Sequence, residues 1–300
     1  MDGTSVKEPS SPIFIGGFVR SGTTLLRAML GQHSRIASGL ETHWCSVDWA
    51  AGTGRRGEPL VDWLRRMAGF YDFPFVEVEQ MAAASDGIKT FLERFLGAYA
   101  ARFGKSRWAE KTTDNVIHLD RVFALWPHSK FVHIVRDPRD CYVSLAETGK
   151  AGDMDSFAQR WVLYLGSAEC HKKTLGLGPD RYLEIRYEAL VLDPVSTMKA
   201  VVDFAGEAWE EQVGGFGGKD GEYEKVLAVT GTTSSTLLRI REPLSTRRIG
   251  VWRAAMTAER VRDLDAAIER RGYAALARKL EHASRGLGAD GVSPASGPSP

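Results

Sequence analysis

The chain has little cysteine: Cys45, Cys141 and Cys170 are odd in number and far apart among 300 residues, which excludes a disulfide framework and suits a reducing compartment. Neither these cysteines nor any of His33, His43, His118, His128, His133, His171 and His282 falls at metal-ligand spacing, so no metal is implied. Charge of one sign is also lacking. Thirty-nine Lys and Arg against 38 Asp and Glu leave a net +1, giving no global field toward nucleic acid or an anionic membrane, so any anion site has to be local. No stretch approaches the ~18 apolar residues of a membrane span. The N-terminus carries Asp2, Lys7 and Glu8 in place of an apolar signal core, and a soluble, cytoplasmic protein is expected. There is no fixed-period repeat and no sustained heptad. Residues 1–11 and 285–300 have too few large apolar groups to offset their ordering entropy and are expected to be disordered tails.

Between the tails, residues 12–284 have the composition of one globular domain. Pro12-Ile13-Phe14-Ile15-Gly16-Gly17 is a short apolar run ending in glycine, followed by Leu25, Leu26, Met29 and Leu30 at helical spacing: strand, tight loop, helix. Phe131-Val132-His133-Ile134-Val135 reads as a buried strand, after which Asp137 caps and Pro138 opens a helix. A third strand, Arg181 to Ile185, precedes a helix capped by Asp193, opened by Pro194 and closed by Gly206, with Val195, Met198, Val201, Val202 and Ala205 on its apolar face. Strands alternating with helices in this way predict an α/β fold, a three-layer αβα arrangement of P-loop type around a central parallel sheet. Residues 42–105 break the alternation. They are helical in pattern and dense in Trp44, Trp49, Trp63, Phe70, Tyr71, Phe73 and Phe75, and are expected to form a helical insertion or lid; the alternative is that the aromatics are simply core.

Gly17-Phe18-Val19-Arg20-Ser21-Gly22-Thr23-Thr24 fits the P-loop frame G-x-x-x-x-G-K-S/T except that Thr23 replaces the lysine. Glycines at both ends let successive N–H groups point inward, and the helix that follows adds its positive end, making a nest for a tetrahedral anion. The lysine that neutralises the β- and γ-phosphates in nucleoside triphosphatases is missing, and Arg20 brings its charge from another direction. A P-loop kinase or nucleotide hydrolase with a degenerate lysine is the competing reading, with Thr24 and Asp137 as its Mg²⁺ ligands; a nucleotide-binding protein without turnover is a third.

Pro12 to Leu26, Lys130 to Leu145 and Arg247 to Trp252, in this order, resemble the sulfotransferases that use 3′-phosphoadenosine 5′-phosphosulfate (PAPS). The stretch from Arg20 to Thr42 is most similar to tyrosylprotein sulfotransferases and their bacterial relatives. The resemblance implies that Arg20, Ser21, Gly22, Thr23 and Thr24 hold the donor's 5′-phosphosulfate. It implies that Arg136 and Ser144, about two helical turns apart, hold its 3′-phosphate, over which the Arg247-Arg248-Ile249-Gly250-Val251-Trp252 loop closes; many members have Arg-Lys-Gly there, and either Arg247 or Arg248 makes the contact. Tyr187, and Thr236 or Ser235, fall where relatives touch the nucleotide. The competing view of Arg136, Asp137 and Arg139 is a surface ion-pair cluster.

Sulfuryl transfer needs a cation at the leaving group and a base for the acceptor's proton. Lys111 resembles the family lysine at the donor's leaving group, the alternative being a solvated lysine at a strand end. Small-molecule sulfotransferases place a histidine two residues later, where this chain has Thr113. Glu41 matches the glutamate base of tyrosylprotein sulfotransferases; His43 is its nearest competitor, and the two are expected to face opposite ways. The acceptor is a hydroxyl or phenol of a small molecule, carbohydrate, lipid head or peptide tyrosine. Arg55-Arg56 and Arg65-Arg66 are either attractors of an acidic acceptor or solvated faces.

Overall fold

Ile13–Gly16 (β1) is buried at every position, the pattern of a strand covered on both faces. It is the middle strand of a five-stranded parallel sheet ordered β2-β3-β1-β4-β5, where β2 is Ile36–Ala37, β3 Arg107–Lys111, β4 Lys130–Val135 and β5 Tyr182–Arg186. The structure, a computed structural model, describes residues 11–216 and 242–273. They fall into two compact units, residues 11–135 with 163–216 and 242–245, and residues 136–162 with 246–273. The α/β class, the P-loop type of fold and the parallel sheet are as the alternation of elements predicts. Strand order reverses at β1, and the carboxyl ends of strands at such a point are where open α/β sheets bind ligands.

The first unit holds the whole sheet. β1 leads through residues 17–22 into α1 (Thr23–Leu30). The insertion contributes α2 (Leu60–Tyr71), α3 (Phe75–Ala83) and α4 (Ile88–Arg102) before the chain returns as β3; further along the chain come α5 (Leu119–Leu125), α7 (Met154–Thr174) and α8 (Tyr187–Leu192), besides α6 (Pro138–Ala146) and α9 (Pro194–Ala205), described below. Its aromatic residues are core. Trp44, Trp63, Tyr71 and Phe73 are buried, and Trp49, Phe70 and Phe75 pack against them in one cluster with Phe14 of β1. Phe14 has ring centroids at 5.9 Å from Trp44 and 5.0 Å from Trp126, and α4 adds Phe91 stacked on Phe95 at 5.4 Å.

At α9 (Pro194–Ala205) the Asp193 carboxylate accepts the Ser196 N–H, Pro194 stands at the first position and Gly206 ends the helix with φ 78°. Met198, Val201, Val202 and Ala205 are buried as expected. Val195 is not: it is 38% exposed, at the second position of the helix.

In the second unit α6 (Pro138–Ala146) starts as predicted, with Pro138 at the first position and the Asp137 side chain accepting the Arg139 N–H at 2.9 Å. Nearly every α6 residue is buried. The unit also contains the short helix Trp252–Ala255 and the helix Ala258–Glu269. No described helix is long and apolar enough to cross a membrane.

Phe95, fully buried and ringed by Phe91, Tyr71 and Phe73, is a direct test of the insertion as core rather than cover. Phe95→Ala is expected to lower unfolding free energy by about 3–5 kcal/mol, measured by urea denaturation; a loss below about 1 kcal/mol, within the spread of ordinary surface substitutions, contradicts that packing.

Candidate active site

The loop after β1 is held open by its own backbone. Gly17 (φ 157°), Arg20 (φ 71°) and Gly22 (φ 96°) turn the chain, while the Gly17 N–H donates to the Thr113 carbonyl and the Ser21 N–H to the Phe18 carbonyl. The close approaches make glycine necessary here. A Cβ on Gly22 would lie 2.5 Å from Cδ2 of Tyr187, and one on Gly17 would run into the Ile134 carbonyl. Gly22 is the N-cap of α1 and no side chain caps the helix, so the first N–H groups of α1 have no intrahelical partner. Beside them stand Ser21, Thr23 and Thr24, all buried, and no acidic residue lies in the first turn. This is a donor-rich helix start of the kind that binds anions.

A lysine, absent from the loop itself, reaches it from another strand. Lys111, the last residue of β3 and only 3% exposed, places Nζ 3.4 Å from Thr24 Oγ1 and 2.5 Å from Glu41 Oε1. Glu41 Oε2 lies 3.2 Å from His43 Nε2. Glu41 and His43 therefore face each other, contrary to expectation. Residues two apart in an extended segment share a face, and His43 adds a left-handed turn, φ 54°. Burial pushes the Glu41 carboxyl up, but the Lys111 ammonium and then His43 outweigh it and hold it below the usual carboxylate range. Burial pushes the His43 imidazole down, against the opposing pull of Glu41. The pair is thus a carboxylate beside a neutral imidazole near pH 7, with the Glu41 side chain 29% open to solvent.

The segment carrying Glu41 is pinned on both sides of that residue. The Tyr71 hydroxyl donates to the Leu40 carbonyl at 2.5 Å and the Trp63 indole to the Thr42 carbonyl at 2.8 Å. Glu110, 1% exposed, accepts from the Thr42 N–H, the Thr42 and Thr112 hydroxyls and the Asn115 amide, the last at 2.6 Å. Asn115 in turn donates to the Ile15 carbonyl of β1 and accepts from the Trp44 indole. The segment is thereby tied to the sheet.

In the second unit Arg136 (5% exposed) and Ser144 (3%) are both buried, one just past β4 and the other on α6. Arg136 Nη2 donates to the Arg248 carbonyl at 2.5 Å and lies 3.9 Å from Asp140, whose oxygens accept the Gly250 and Trp252 N–H groups. Arg248 itself pairs with Glu147 at 2.6 Å.

The sequence profile of the sulfotransferase family matches residues 12–211, which is 200 of the 300 residues. The chain belongs to the sulfotransferase family. It is 28% identical over 210 residues to protein-tyrosine sulfotransferase 2 of Gallus gallus, covering 67% of this chain and 52% of that one. It is also 28% identical over 207 residues to the protein-tyrosine sulfotransferase of Drosophila melanogaster, covering 67% and 39%. The chain thus spans about half or less of the length of these curated relatives. Among solved structures, the sulfotransferase domain of the Synechococcus PCC 7002 olefin synthase superposes with TM-score 0.62 at 22% identity, covering 87% of this chain and 94% of that one. Mouse sulfotransferase SULT7A1 complexed with PAP superposes with TM-score 0.51 at 17% identity, covering 91% and 89%.

Within this chain Arg20 to Thr24, Tyr187, Lys111, Glu41 and His43 belong to the first unit, and Lys111 meets both Thr24 and Glu41. Arg136, Ser144, Arg247, Arg248 and Gly250 belong to the second. Thr236 and Ser235 lie outside the described residues. Arg136, Asp137 and Arg139 are not a surface cluster: all are at most 5% exposed, and Arg139 pairs with Asp137 at 3.8 Å and Asp265 at 3.1 Å. Nor is Lys111 a solvated strand end. Arg65 and Arg66 are engaged by Asp62 and Glu58, whereas Arg55 acts electrostatically on both Glu41 and His43. Glu110, Asn115 and Asp140 had not been singled out.

The arrangement gives a signed prediction for Glu41. With Lys111→Met the main opposing charge is gone while burial stays, so the Glu41 carboxyl is expected to titrate above its wild-type value in a ¹³C NMR titration; an unchanged or lower value contradicts the coupling.

Proposed function

We propose that this chain transfers a sulfuryl group from PAPS to an acceptor hydroxyl or phenol, with Glu41 as the base. The observation that carries the reading is the position of Lys111 Nζ between Thr24 Oγ1 and the Glu41 carboxylate. A cation there stands beside the anion nest and the base at once. The residues fit a phosphosulfate: an uncapped helix start, buried Ser and Thr hydroxyls, and a lysine nearly sealed from water. PAPS, when bound, supplies the activated sulfuryl group and the leaving phosphate. Family membership and the PAP in the SULT7A1 structure support the choice of donor.

Arg20, Ser21, Gly22, Thr23 and Thr24 hold the 5′ end through backbone N–H groups, hydroxyls and a guanidinium, and Tyr187 packs at Gly22 on the nucleotide side. Lys111 stabilises charge on the leaving oxygen. In the free protein Lys111 keeps Glu41 ionised and correspondingly weak as a base. With an anion held at the start of α1, Lys111 would share its charge between that anion and Glu41, and the Glu41 carboxylate would gain proton affinity. Glu41 then accepts the acceptor's proton, while neutral His43 donates its Nε2–H to Glu41 Oε2. Arg136, Ser144 and the 247–250 loop are assigned to the 3′-phosphate, the group that separates PAPS from ATP. Similarity to protein-tyrosine sulfotransferases makes a peptide tyrosine the first acceptor to try.

The kinase or nucleotide-hydrolase reading would use Thr24 and Asp137 for Mg²⁺. Thr24 Oγ1 already faces the Lys111 ammonium, and the Asp137 carboxylate is committed to capping α6.

Calorimetry separates the two. Adenosine 3′,5′-bisphosphate is expected to bind without metal and more tightly than ATP·Mg²⁺; preference for ATP·Mg²⁺ overturns the donor assignment. Glu41→Gln is expected to keep bisphosphate affinity within about twofold and lower turnover about 10²–10⁴-fold, the usual worth of a general base. Full turnover in that variant removes Glu41 from the role.

A further inference from the structure

A phosphate site assembled from segments more than a hundred residues apart binds more tightly if one segment is fixed on the other before the ligand arrives. In the second unit the Asp140 carboxylate takes two backbone N–H groups of that attachment, beside Arg136 at the Arg248 carbonyl and Glu147 at the Arg248 guanidinium. Asp140 on α6 is fully buried: its Oδ2 accepts the Gly250 N–H at 2.8 Å and its Oδ1 the Trp252 N–H at 3.2 Å. The same Oδ2 lies 3.9 Å from Arg136 Nη2, and that nitrogen also donates to the Arg248 carbonyl. One carboxylate thus uses both oxygens on the loop backbone and balances its charge against the arginine assigned to the 3′-phosphate. The loop is shaped for this. Gly250 has φ 69°, a left-handed turn that brings its N–H to Asp140, and a Cβ there would run into the Arg253 guanidinium. The Trp252 ring, next along, has the Arg139 guanidinium over it at 4.8 Å.

We propose that Asp140 is a positioning residue that fixes the 247–252 loop against α6 and thereby sets selectivity for a ligand carrying a 3′-phosphate. It makes no contact with the phosphate itself. A buried carboxylate beside an anion site is electrostatically unfavourable for that anion, and this one is tolerated because two backbone N–H groups and Arg136 neutralise it. Its value is geometric: with the loop already attached, binding the phosphate does not also have to order the loop. This proposal rests on the donor reading given above.

The test is affinity for adenosine 3′,5′-bisphosphate relative to adenosine 5′-monophosphate, by calorimetry on the full chain. The monophosphate lacks only the 3′-phosphate, so the ratio isolates that group, and monophosphate binding reports that the fold is intact. Wild-type protein is expected to favour the bisphosphate. In Asp140→Asn one of the two N–H groups faces an amide nitrogen instead of an oxygen; bisphosphate affinity is expected to fall at least tenfold and monophosphate affinity to change less than twofold. An unchanged or increased ratio overturns the proposal, since removing a negative charge without loosening the loop would strengthen phosphate binding. If wild-type protein itself does not distinguish the two nucleotides, the donor reading fails first. Should Asp140→Asn not fold, hydrogen exchange on nucleotide-free wild-type protein decides: the Gly250 and Trp252 amides are expected to be protected, and unprotected exchange at both overturns the clamp.

Discussion

A lysine ammonium that is 3% exposed has to be met by an anion, and in the free protein Glu41 meets it. Three stretches of chain converge on that pair: the start of α1 through Thr24, the segment after β2 through Glu41, and the end of β3 through Lys111 itself. The parallel register places Ile15 of β1 opposite Lys111, so the ammonium emerges beside the loop that β1 feeds. The lysine missing from the P-loop frame is replaced in space by one from the neighbouring strand. The proposed sulfuryl transfer to an outside hydroxyl calls for a charge in that place.

The same pair explains why the insertion is built as core. Glu41 stays within reach of Lys111 only if its backbone is fixed, and α2 supplies two of the anchors, Tyr71 on Leu40 and Trp63 on Thr42. Both rings belong to the aromatic cluster that also buries Phe14, so the hydrophobic packing of the first unit and the placement of its carboxylate are one construction. Glu110 completes it from the sheet side. Burial pushes its carboxyl up, and hydrogen bonds from Asn115, Thr112 and Thr42 oppose that push. Buried polar networks of this kind define a geometry more than they add stability.

The legible parts of the sequence are those whose signals are local. The glycine-bounded loop, the Asp137-Pro138 start of α6 and the Asp193, Pro194 and Gly206 boundaries of α9 each depend on a few adjacent residues, and each appears where expected. β2 and β3 gave no such signal. β2 has two residues, and β3 carries Arg107, Glu110 and Lys111, charges that look solvated until their partners arrive from elsewhere: Arg107, for example, is met by the carbonyls of Ser11 and Ala205 and by Glu207. The Glu110 network and the Asp140 clamp were hidden for the same reason, since their partners lie far away in sequence or are backbone groups. The aromatic insertion was legible as a composition but not as a place, because nothing in residues 42–105 says that Phe14 lies beneath them. Glu41 and His43 face each other and not opposite ways, a matter of strand alternation and one left-handed residue.

The most direct measurement is a crystal structure of the protein with adenosine 3′,5′-bisphosphate bound. The account predicts the 5′-phosphate on the N–H groups at the start of α1 with Lys111 Nζ within hydrogen-bond distance of it. A 5′-phosphate bound elsewhere, or bound there with Lys111 still paired only to Glu41, would contradict the claim that this lysine replaces the one the loop lacks.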